Sequence, residues 1–283
     1  MNALKKFVKS FFRNQWSESV IIFFSSVPVL RRFFFLLRPR HTDYEPGTLR
    51  NAGRNNINYE LDLSDWVEWN IYFCNRVEPR EKIYALAQTG DTVIDVGVNI
   101  GETLLNLANK VGGKGKVVGF EPALATFNKC RNNIALNPSL KNIALHRLAL
   151  GRKEEELFIQ VKDERNRGES SLSESAVGEK IKVTTLDLFA ARENIPRVNL
   201  IKIDAEGFEM NVLLGAEQTI LRFLPKLFIE VDDNLLKQQK YSAEELVRWL
   251  MQRGYKIYNA ENNSAVSPGQ SFANCHFDII CAA

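Results

Sequence analysis

The sequence predicts an α/β protein built on a doubly wound sheet of seven strands, mostly parallel, with an antiparallel last strand. From residue 90 onward, short apolar, β-branched runs alternate with segments of helical periodicity. A glycine turn follows the first run, Thr92 to Val96, and a helical pattern starts directly behind it. The second run ends in the acidic residue Glu121. Together these observations predict a Rossmann-like sheet with a ligand site at the carboxyl ends of its strands.

The individual elements follow from the same alternation. We expect strands near 92–96, 117–121, 143–149, 199–204, 226–231, 255–259 and 277–282, and helices near 101–111, 123–136, 206–221 and 242–253. Two further runs, 155–161 and 180–184, predict an inserted β-hairpin. A polar loop rich in serine and glycine joins them, and it is either a lid over the substrate or a surface decoration.

The chain divides into three predicted parts. Residues 1–50 form a basic, phenylalanine-rich helical extension and linker, residues 51–90 a segment that caps the site, and residues 91–283 the main domain. The linker is assigned to residues 41–58 because they are polar and contain Pro46-Gly47. Composition does not predict a resident metal. The four cysteines form no C-x-x-C pair and only three histidines are present.

Charge is distributed unevenly. Residues 1–40 carry eight Lys/Arg and one acid, Glu18, so the net charge of +3 combines +7 in this segment with −4 in the rest. An acidic main domain argues against a nucleic-acid partner. The cysteines are interpreted as reduced thiols, which favours a cytoplasmic protein. The apolar run Val20 to Leu30 is too short to span a bilayer, which takes about 20 residues.

Two interpretations of this segment remain open. Basic residues between Lys5 and Arg13 alternate with phenylalanines, as in an interfacial helix lying on the anionic inner face of a membrane. Alternatively, residues 1–40 form a pair of helices packed on the main domain or on a second subunit of a homo-oligomer.

The glycine turn indicates which ligand the site takes. Its pattern is G-x-N-x-G, with Gly97, Asn99 and Gly101, and Asp95 ends the preceding strand. The turn contains no Lys or Arg and is acidic, so it is unsuited to a pyrophosphate and suited to a cation. S-adenosylmethionine carries a sulfonium and an ammonium group, and it is the cofactor that we expect. Glu121, followed by Pro122, is placed to accept hydrogen bonds from ribose hydroxyls.

A group of acids is expected at the same edge of the sheet. Asp204 ends a strand, Glu206 and Glu209 follow it, and the next strand ends in an acidic run, 230–233. We assign Asp204 and Glu206 to the acceptor, because transfer of a methyl group to oxygen needs a group that takes the proton. Two alternatives stay open: these acids cap a helix, or Asp204 joins residues 232–234 in a magnesium site.

These motifs resemble the FkbM-type S-adenosylmethionine-dependent methyltransferases over residues 59–283. The residues that carry the resemblance are the Asp95–Gly101 turn, Glu121-Pro122, the segment 132–137, Thr185-Leu-Asp187 and Lys202–Glu209. Val98 stands where the family usually has alanine, and Glu78 fits an acidic position ahead of the first strand. The resemblance implies that Glu78, Asp95, Gly97, Asn99, Gly101, Glu121 and Pro122 hold the cofactor. It also implies O-methylation of a hydroxyl on a sugar, a polyketide or another small molecule.

Two other functions are compatible with parts of the sequence. A nicotinamide-dependent oxidoreductase would share the strand, turn and acid, but Asn99 stands where the dinucleotide fingerprint has its second glycine. A non-catalytic, membrane-associated protein would bind S-adenosylmethionine without transferring its methyl group.

Overall fold

The computed structural model describes residues 13–73, 80–161, 170–173 and 177–283. The described residues form two compact units, the first comprising residues 13–73 and the second the described residues from 80 onward. The finer division at residues 50 and 90 remains a prediction. Within the described residues, no helix combines the length and the apolar character that crossing a bilayer requires.

The N-terminal unit consists of helices around a two-stranded hairpin. Its elements are α1 (Gln15–Ser25), α2 (Pro28–Leu37), a 3-10 turn (His41–Asp43), β1 (Leu49–Arg54), β2 (Ile57–Asp62) and α3 (Trp66–Tyr72). The prediction of a linker over residues 41–58 is wrong, because β1 and β2 pair as an antiparallel hairpin. Asn55 and Asn56 both have positive φ and form its two-residue turn, a conformation that asparagine tolerates well.

Glu18 fixes the inner side of α1 in this unit. Its buried carboxylate accepts hydrogen bonds from the hydroxyls of Tyr44 and Tyr72, each at 3.1 Å, and from Nε of Arg50 at 2.8 Å. A buried carboxylate is stable only when it is paired in this way. The inner side of α1 is therefore part of the folded unit.

The larger unit contains the predicted sheet. Its elements are α4 (Arg80–Leu86), β3 (Thr92–Val96), α5 (Glu102–Val111), β4 (Lys116–Phe120), α6 (Leu124–Ala135), β5 (Ile143–His146), β6 (Ala149–Leu150), β7 (Glu155–Val161), β8 (Ser170–Ser173), β9 (Glu179–Thr184), α7 (Leu186–Arg192), β10 (Leu200–Ile203), α8 (Glu209–Leu214), α9 (Glu217–Phe223), β11 (Lys226–Asp232), α10 (Asp233–Gln238), α11 (Ala243–Gln252), β12 (Lys256–Asn259) and β13 (His276–Ala282).

The strand order confirms the predicted fold class. The seven strands are ordered β12-β13-β11-β10-β3-β4-β5. Strands β11, β10, β3, β4 and β5 run parallel, and β13 is antiparallel to both β11 and β12. The glycine turn follows β3, and the loop with Asp204 and Glu206 follows the adjacent strand β10. Both therefore lie at the carboxyl ends of the central strands.

One predicted helix is two helices in the structure. Residues 206–221 were expected to be continuous, but α8 ends at Leu214 and α9 begins at Glu217. The chain breaks at Gly215, where a Cβ would lie 1.9 Å from the carbonyl oxygen of Gly151. Asp187 then caps α9 by accepting from the backbone N–H groups of Gln218 and Thr219. The sequence pattern also gave no indication of α7 or α10.

The inserted hairpin is present and larger than predicted. β7 and β9 pair antiparallel, and β8 and β6 extend them to a sheet ordered β6-β9-β7-β8. Residues 162–169 and 174–176 of the joining loop lie outside the described residues.

Candidate active site

The glycine turn between β3 and α5 is a left-handed backbone path. Gly97, Asn99 and Gly101 have φ values of 76°, 53° and 95°. A Cβ on Gly97 would lie 1.8 Å from the carbonyl oxygen of Asp204, and a Cβ on Gly101 would lie 2.9 Å from Sγ of Cys130. Both glycines are therefore required by conformation and by close packing. The turn lies directly against the end of β10.

Glu121 is tied to this turn. Its Oε2 accepts from the backbone N–H of Asn99 at 3.0 Å, and its Oε1 accepts from the N–H of Ala123 at 3.1 Å. Burial raises the pKa of Glu121 to about 7, although these two N–H groups oppose the shift. Each carboxylate oxygen keeps a lone pair for a ligand hydroxyl. Pro122 follows and is half-buried.

Asn133 stabilises the glycine turn through a hydrogen bond, a role that sequence reasoning did not assign. Its side-chain amide donates to the carbonyl oxygen of Ile100 at 3.0 Å, and the residue is fully buried on α6. The sequence signal was the polar segment 132–137 inside a helical pattern. A buried asparagine in a helix needs a partner, and here the partner is the glycine turn.

Lys202 is the second residue that sequence reasoning gave no role. It lies opposite Asp95 in the parallel pairing of β10 with β3. Its Nζ donates to the carbonyl oxygens of Val96 at 3.2 Å and Gly97 at 2.7 Å. The same Nζ lies 3.5 Å from Oδ1 of Asp95 and 3.3 Å from Oδ2 of Asp204. Lys202 therefore holds together the ends of the two strands that carry the site.

Asp95 lies beneath the turn. It is fully buried, and its carboxylate oxygens have no hydrogen-bond partner among the described residues. Burial raises the pKa of Asp95 to about 6, and the charge of Lys202 opposes that shift. Burial lowers the pKa of Lys202, but the charges of Asp204 and Asp95 outweigh it, and the net direction is upward. The pair is thus an ammonium and a carboxylate around neutral pH.

The loop after β10 holds the residues predicted to act on the acceptor. The Asp204 side chain is 43% exposed, and Glu206 is half-buried with a positive φ of 51°. Glu209 is buried instead, and its Oε1 accepts from the N–H groups of Ala205 and Gly207, both at 3.0 Å. Glu209 thus shapes the loop while Asp204 reaches the surface.

The structure explains why residue 207 is a glycine. The helix begins only at Glu209, so Gly207 belongs to the turn and has a φ of 97°. A Cβ there would lie 2.7 Å from the carbonyl oxygen of Leu235.

Further acids continue this edge onto β11 and β13. Glu230 lies opposite Asp278, and Asp232 lies opposite His276. The charge of Asp204, followed by burial, raises the pKa of Glu230 well above its usual range. Nδ1 of His276 lies 3.1 Å from Oδ2 of Asp232 and its Nε2 lies 3.9 Å from Oε1 of Glu230. Sequence reasoning had not placed this histidine at the site, since its partner strand was unknown.

The magnesium alternative involved Asp232, Asp233 and Asn234. Asp232 caps α10 by accepting from the N–H groups of Asn234 and Leu235, and Asp233 accepts from the N–H of Ala243. Within the described ranges, no group of three or more His, Cys, Asp or Glu side chains is arranged to hold a metal ion.

The site fits a cationic cofactor. Three carboxylates (Asp95, Glu121 and Asp204) surround one ammonium group (Lys202) at the glycine turn, and Asp95 has acceptor oxygens without hydrogen-bond partners among the described residues. A net negative site with free lone pairs attracts a sulfonium and an ammonium and repels a pyrophosphate. Of the predicted cofactor residues, the structure brings together Asp95, Gly97, Asn99, Gly101, Glu121 and Pro122. Glu78 lies outside the described residues.

Several known proteins are similar to this chain. A curated relative, Methyltransferase 1 of Beauveria bassiana (strain ARSEF 2860), is 27% identical over 177 residues, which cover 54% of this chain and 70% of the relative. The solved structure of Methyltransferase FkbM from Methylobacillus flagellatus KT is 17% identical with a TM-score of 0.47, covering 76% of this chain. This chain spans 52% of that protein.

Another solved structure with a similar arrangement is that of Aeropyrum pernix fibrillarin with natively bound S-adenosyl-L-methionine. It is 14% identical with a TM-score of 0.44 and covers 84% of each chain. The profile of the Methyltransferase FkbM domain matches residues 95–257, which is more than half of the chain. This match confirms the predicted cofactor and decides against the oxidoreductase. The chain therefore belongs to the FkbM methyltransferase domain family, and it is an S-adenosylmethionine-dependent methyltransferase.

Proposed function

We propose that the protein methylates a hydroxyl oxygen of an uncharged small molecule or glycan, with Asp204 accepting the hydroxyl proton. The observation that carries this proposal is the position of Asp204. Its side chain is 43% exposed, the residue follows β10, and its backbone contacts the glycine turn at Gly97. A substrate hydroxyl at this edge can therefore approach the cofactor and the carboxylate together.

Transfer to a neutral oxygen requires the removal of one proton. Bound S-adenosylmethionine supplies the methyl group, and the chain's own residues position the hydroxyl and take its proton. Lys202 Nζ, 3.3 Å from Oδ2 of Asp204, fixes the orientation of the carboxylate.

The acidic residues at the carboxyl ends of the strands restrict which classes of molecule can be the methyl acceptor. Asp204, Glu206, Glu230, Asp232 and Asp278 all lie at this edge of the sheet or beside it. Like-charge repulsion makes a substrate carboxylate or phosphate unfavourable here, and this includes nucleic acids. Polar, uncharged hydroxyls can donate hydrogen bonds to these oxygens. Sugars and hydroxylated polyketides, which the family resemblance implies, meet that requirement.

The acceptor can be identified by supplying the purified chain and methyl-labelled S-adenosylmethionine to an extract of the source organism. We expect one labelled compound whose mass has increased by one CH2, with the label stable to mild base as in a methyl ether. A base-labile label would indicate a methyl ester, and a label on nitrogen would indicate amine methylation; either would contradict the proposal. Cofactor binding without any labelled product from extracts rich in hydroxylated compounds would favour a non-catalytic binding protein.

Asp204→Asn is the matched negative control for this experiment, since it keeps the size of the side chain and removes the proton acceptor.

A further inference from the structure

The outer side of the helical hairpin formed by α1 and α2 exposes a large apolar surface. Phe23 is 65% exposed, Phe33 60% and Val29 89%. We name as the aromatic face the exposed apolar residues of this hairpin: Trp16, Phe23, Val27, Val29, Leu30, Phe33, Phe35 and Leu36. Exposed apolar residues are ordinary when they are scattered, but a contiguous group of this kind marks an interaction surface.

Stacked phenylalanine rings connect the two helices within the aromatic face. Phe24 and Phe34 stack between α1 and α2, with ring centroids 4.8 Å apart. Phe23 contacts Phe24 edge-on at 5.2 Å, and Phe33 contacts Phe34 in the same way at 5.4 Å. Four rings thus form a continuous ladder whose two ends are exposed. The inner side of α1 is occupied by Glu18 and its partners, so the aromatic face is the side that the N-terminal unit leaves uncovered.

The segment that carries the aromatic face is also positively charged. Arg13, Arg31, Arg32 and Arg40 are exposed between residues 13 and 40. The one acid in this range, Glu18, is buried and paired with Arg50. A second copy of the hairpin meeting this face would bring like charges together. An anionic surface would instead attract the exposed arginines.

We propose that the aromatic face docks on an anionic lipid bilayer, with the phenylalanines at the level of the acyl boundary and the arginines among the headgroups. The length of the helices supports docking on the surface and not insertion across it. α2 has 10 residues and rises about 15 Å, whereas the hydrocarbon core is about 30 Å thick. Apolar side chains and basic residues on one short helical hairpin are what an interfacial anchor requires.

The test uses the full chain and sedimentation with phosphatidylcholine vesicles, with and without phosphatidylserine. We expect the chain to sediment with the phosphatidylserine vesicles, to sediment less with pure phosphatidylcholine, and to be partly released by salt. Phe23→Ser with Phe33→Ser should reduce partitioning about 10-fold or more, because two apolar anchors are lost. Arg31→Gln with Arg32→Gln should reduce it about 30-fold, since each basic residue contributes separately.

A control pair in the larger unit separates this effect from a general loss of apolar surface. Leu221 and Met251 are exposed on α9 and α11, so Leu221→Ser with Met251→Ser should leave vesicle binding unchanged. Melting temperatures show whether each variant is folded. If the variant with both phenylalanine substitutions is unfolded, the variant with both arginine substitutions provides the test. The proposal is overturned if the wild-type chain stays in the supernatant with phosphatidylserine vesicles. It is also overturned if the phenylalanine pair dissolves a dimer in sedimentation equilibrium while vesicle binding is unchanged, because a second copy would then cover the face.

Discussion

Lys202 lies directly opposite Asp95 across the parallel strands β10 and β3, and it also contacts Asp204, the residue that we assign to the acceptor. One buried ammonium group thereby links the floor of the cofactor turn to the carboxylate at the acceptor. It donates in addition to the carbonyl oxygens of Val96 and Gly97. We regard Lys202 as a positioning residue, since its side chain is buried and acts through its neighbours.

Lys202→Met should destabilise the protein by about 3–5 kcal/mol, because removing one partner of a buried ion pair leaves the other charge uncompensated. Denaturant-induced unfolding measures this difference. Arg248→Met is the control, since Arg248 pairs with Glu244 on an exposed helix surface, where such a pair contributes about 0.3–0.5 kcal/mol. Adding Asp95→Asn to Lys202→Met should recover part of the loss. Equal effects of Lys202→Met and Arg248→Met would contradict the positioning role.

Gly97→Ala should abolish cofactor binding and strongly destabilise the fold. Its Cβ would lie 1.8 Å from a backbone oxygen, and its φ of 76° is strained for any residue with a side chain. The backbone strain alone costs about 1–3 kcal/mol. Gly113→Ala is the matched control, because no atom lies within 4 Å of that Cβ, and it should change stability by less than about 1 kcal/mol. Melting curves and titration calorimetry with S-adenosylmethionine distinguish the two variants.

Glu121→Ala should weaken the binding of S-adenosylmethionine and S-adenosylhomocysteine by about 1.5–3 kcal/mol, the range for hydrogen bonds to a charged group. Glu121→Gln should lose less, because its carbonyl oxygen can replace one of the two acceptors that hold Asn99 and Ala123. Calorimetry gives both values, with the exposed Glu193→Ala as control. Unchanged affinity in Glu121→Ala would remove the ribose role assigned to this residue.

Glu209 makes stability depend on pH. Burial raises its pKa to about 7, and the N–H groups of Gly207 and Ala205 oppose that shift. A folded-state pKa above the unfolded value means that the folded chain holds the proton more tightly. The raised pKa of Glu209 therefore stabilises the folded state. This stabilisation is complete below the unfolded pKa of about 4.5 and is lost as the pH rises to about 7. Glu209→Gln should remove this pH dependence. The difference in free energy of unfolding between the variant and the wild type should therefore shift in favour of the variant by roughly 1–3 kcal/mol between pH 4.5 and a pH above 7.

Unfolding measured in denaturant across that pH range checks this expectation. The variant keeps an acceptor for the N–H groups of Ala205 and Gly207. A wild-type and a Glu209→Gln curve that run parallel from pH 4.5 to 7 would show that Glu209 is ionised in the fold throughout.

The sheet and the glycine turn were predictable because both depend on local patterns. Apolar β-branched runs identify buried strands such as β3 and β10, and the G-x-N-x-G pattern directly after β3 identifies the turn at Gly97 and Gly101. The β1–β2 hairpin was missed because β1 is mostly polar and half-exposed. The alternating buried residues of β2 (Ile57, Tyr59 and Leu61) lie mostly beyond the predicted linker, 41–58. The break at Gly215 was missed because its cause is a contact with Gly151, which is distant in sequence.

The same distinction applies to the site. The positions of Asp204 and Glu121 could be predicted because each lies at the carboxyl end of a strand, where parallel α/β sheets bind their ligands. Lys202 could be noticed as a lysine inside an apolar run, but its role depends on the register that sets it opposite Asp95. His276 reaches Asp232 only because β13 is antiparallel to β11 in one particular register. Register arises from pairing between strands that are distant in sequence, so a local sequence pattern does not reveal it.

The most direct measurement compares single-turnover methyl transfer by wild type and Asp204→Asn, using the acceptor identified from the labelled extract. Asparagine keeps the size of the side chain and cannot take a proton. We expect wild-type affinity for S-adenosylmethionine by calorimetry and a rate of transfer to the hydroxyl that is lower by about 10²-fold, the scale for a lost general base. Asp232→Asn, at the same edge but engaged in capping α10, should transfer near the wild-type rate. If Asp204→Asn transferred the methyl group at the wild-type rate, the assignment of Asp204 as the proton acceptor would be wrong.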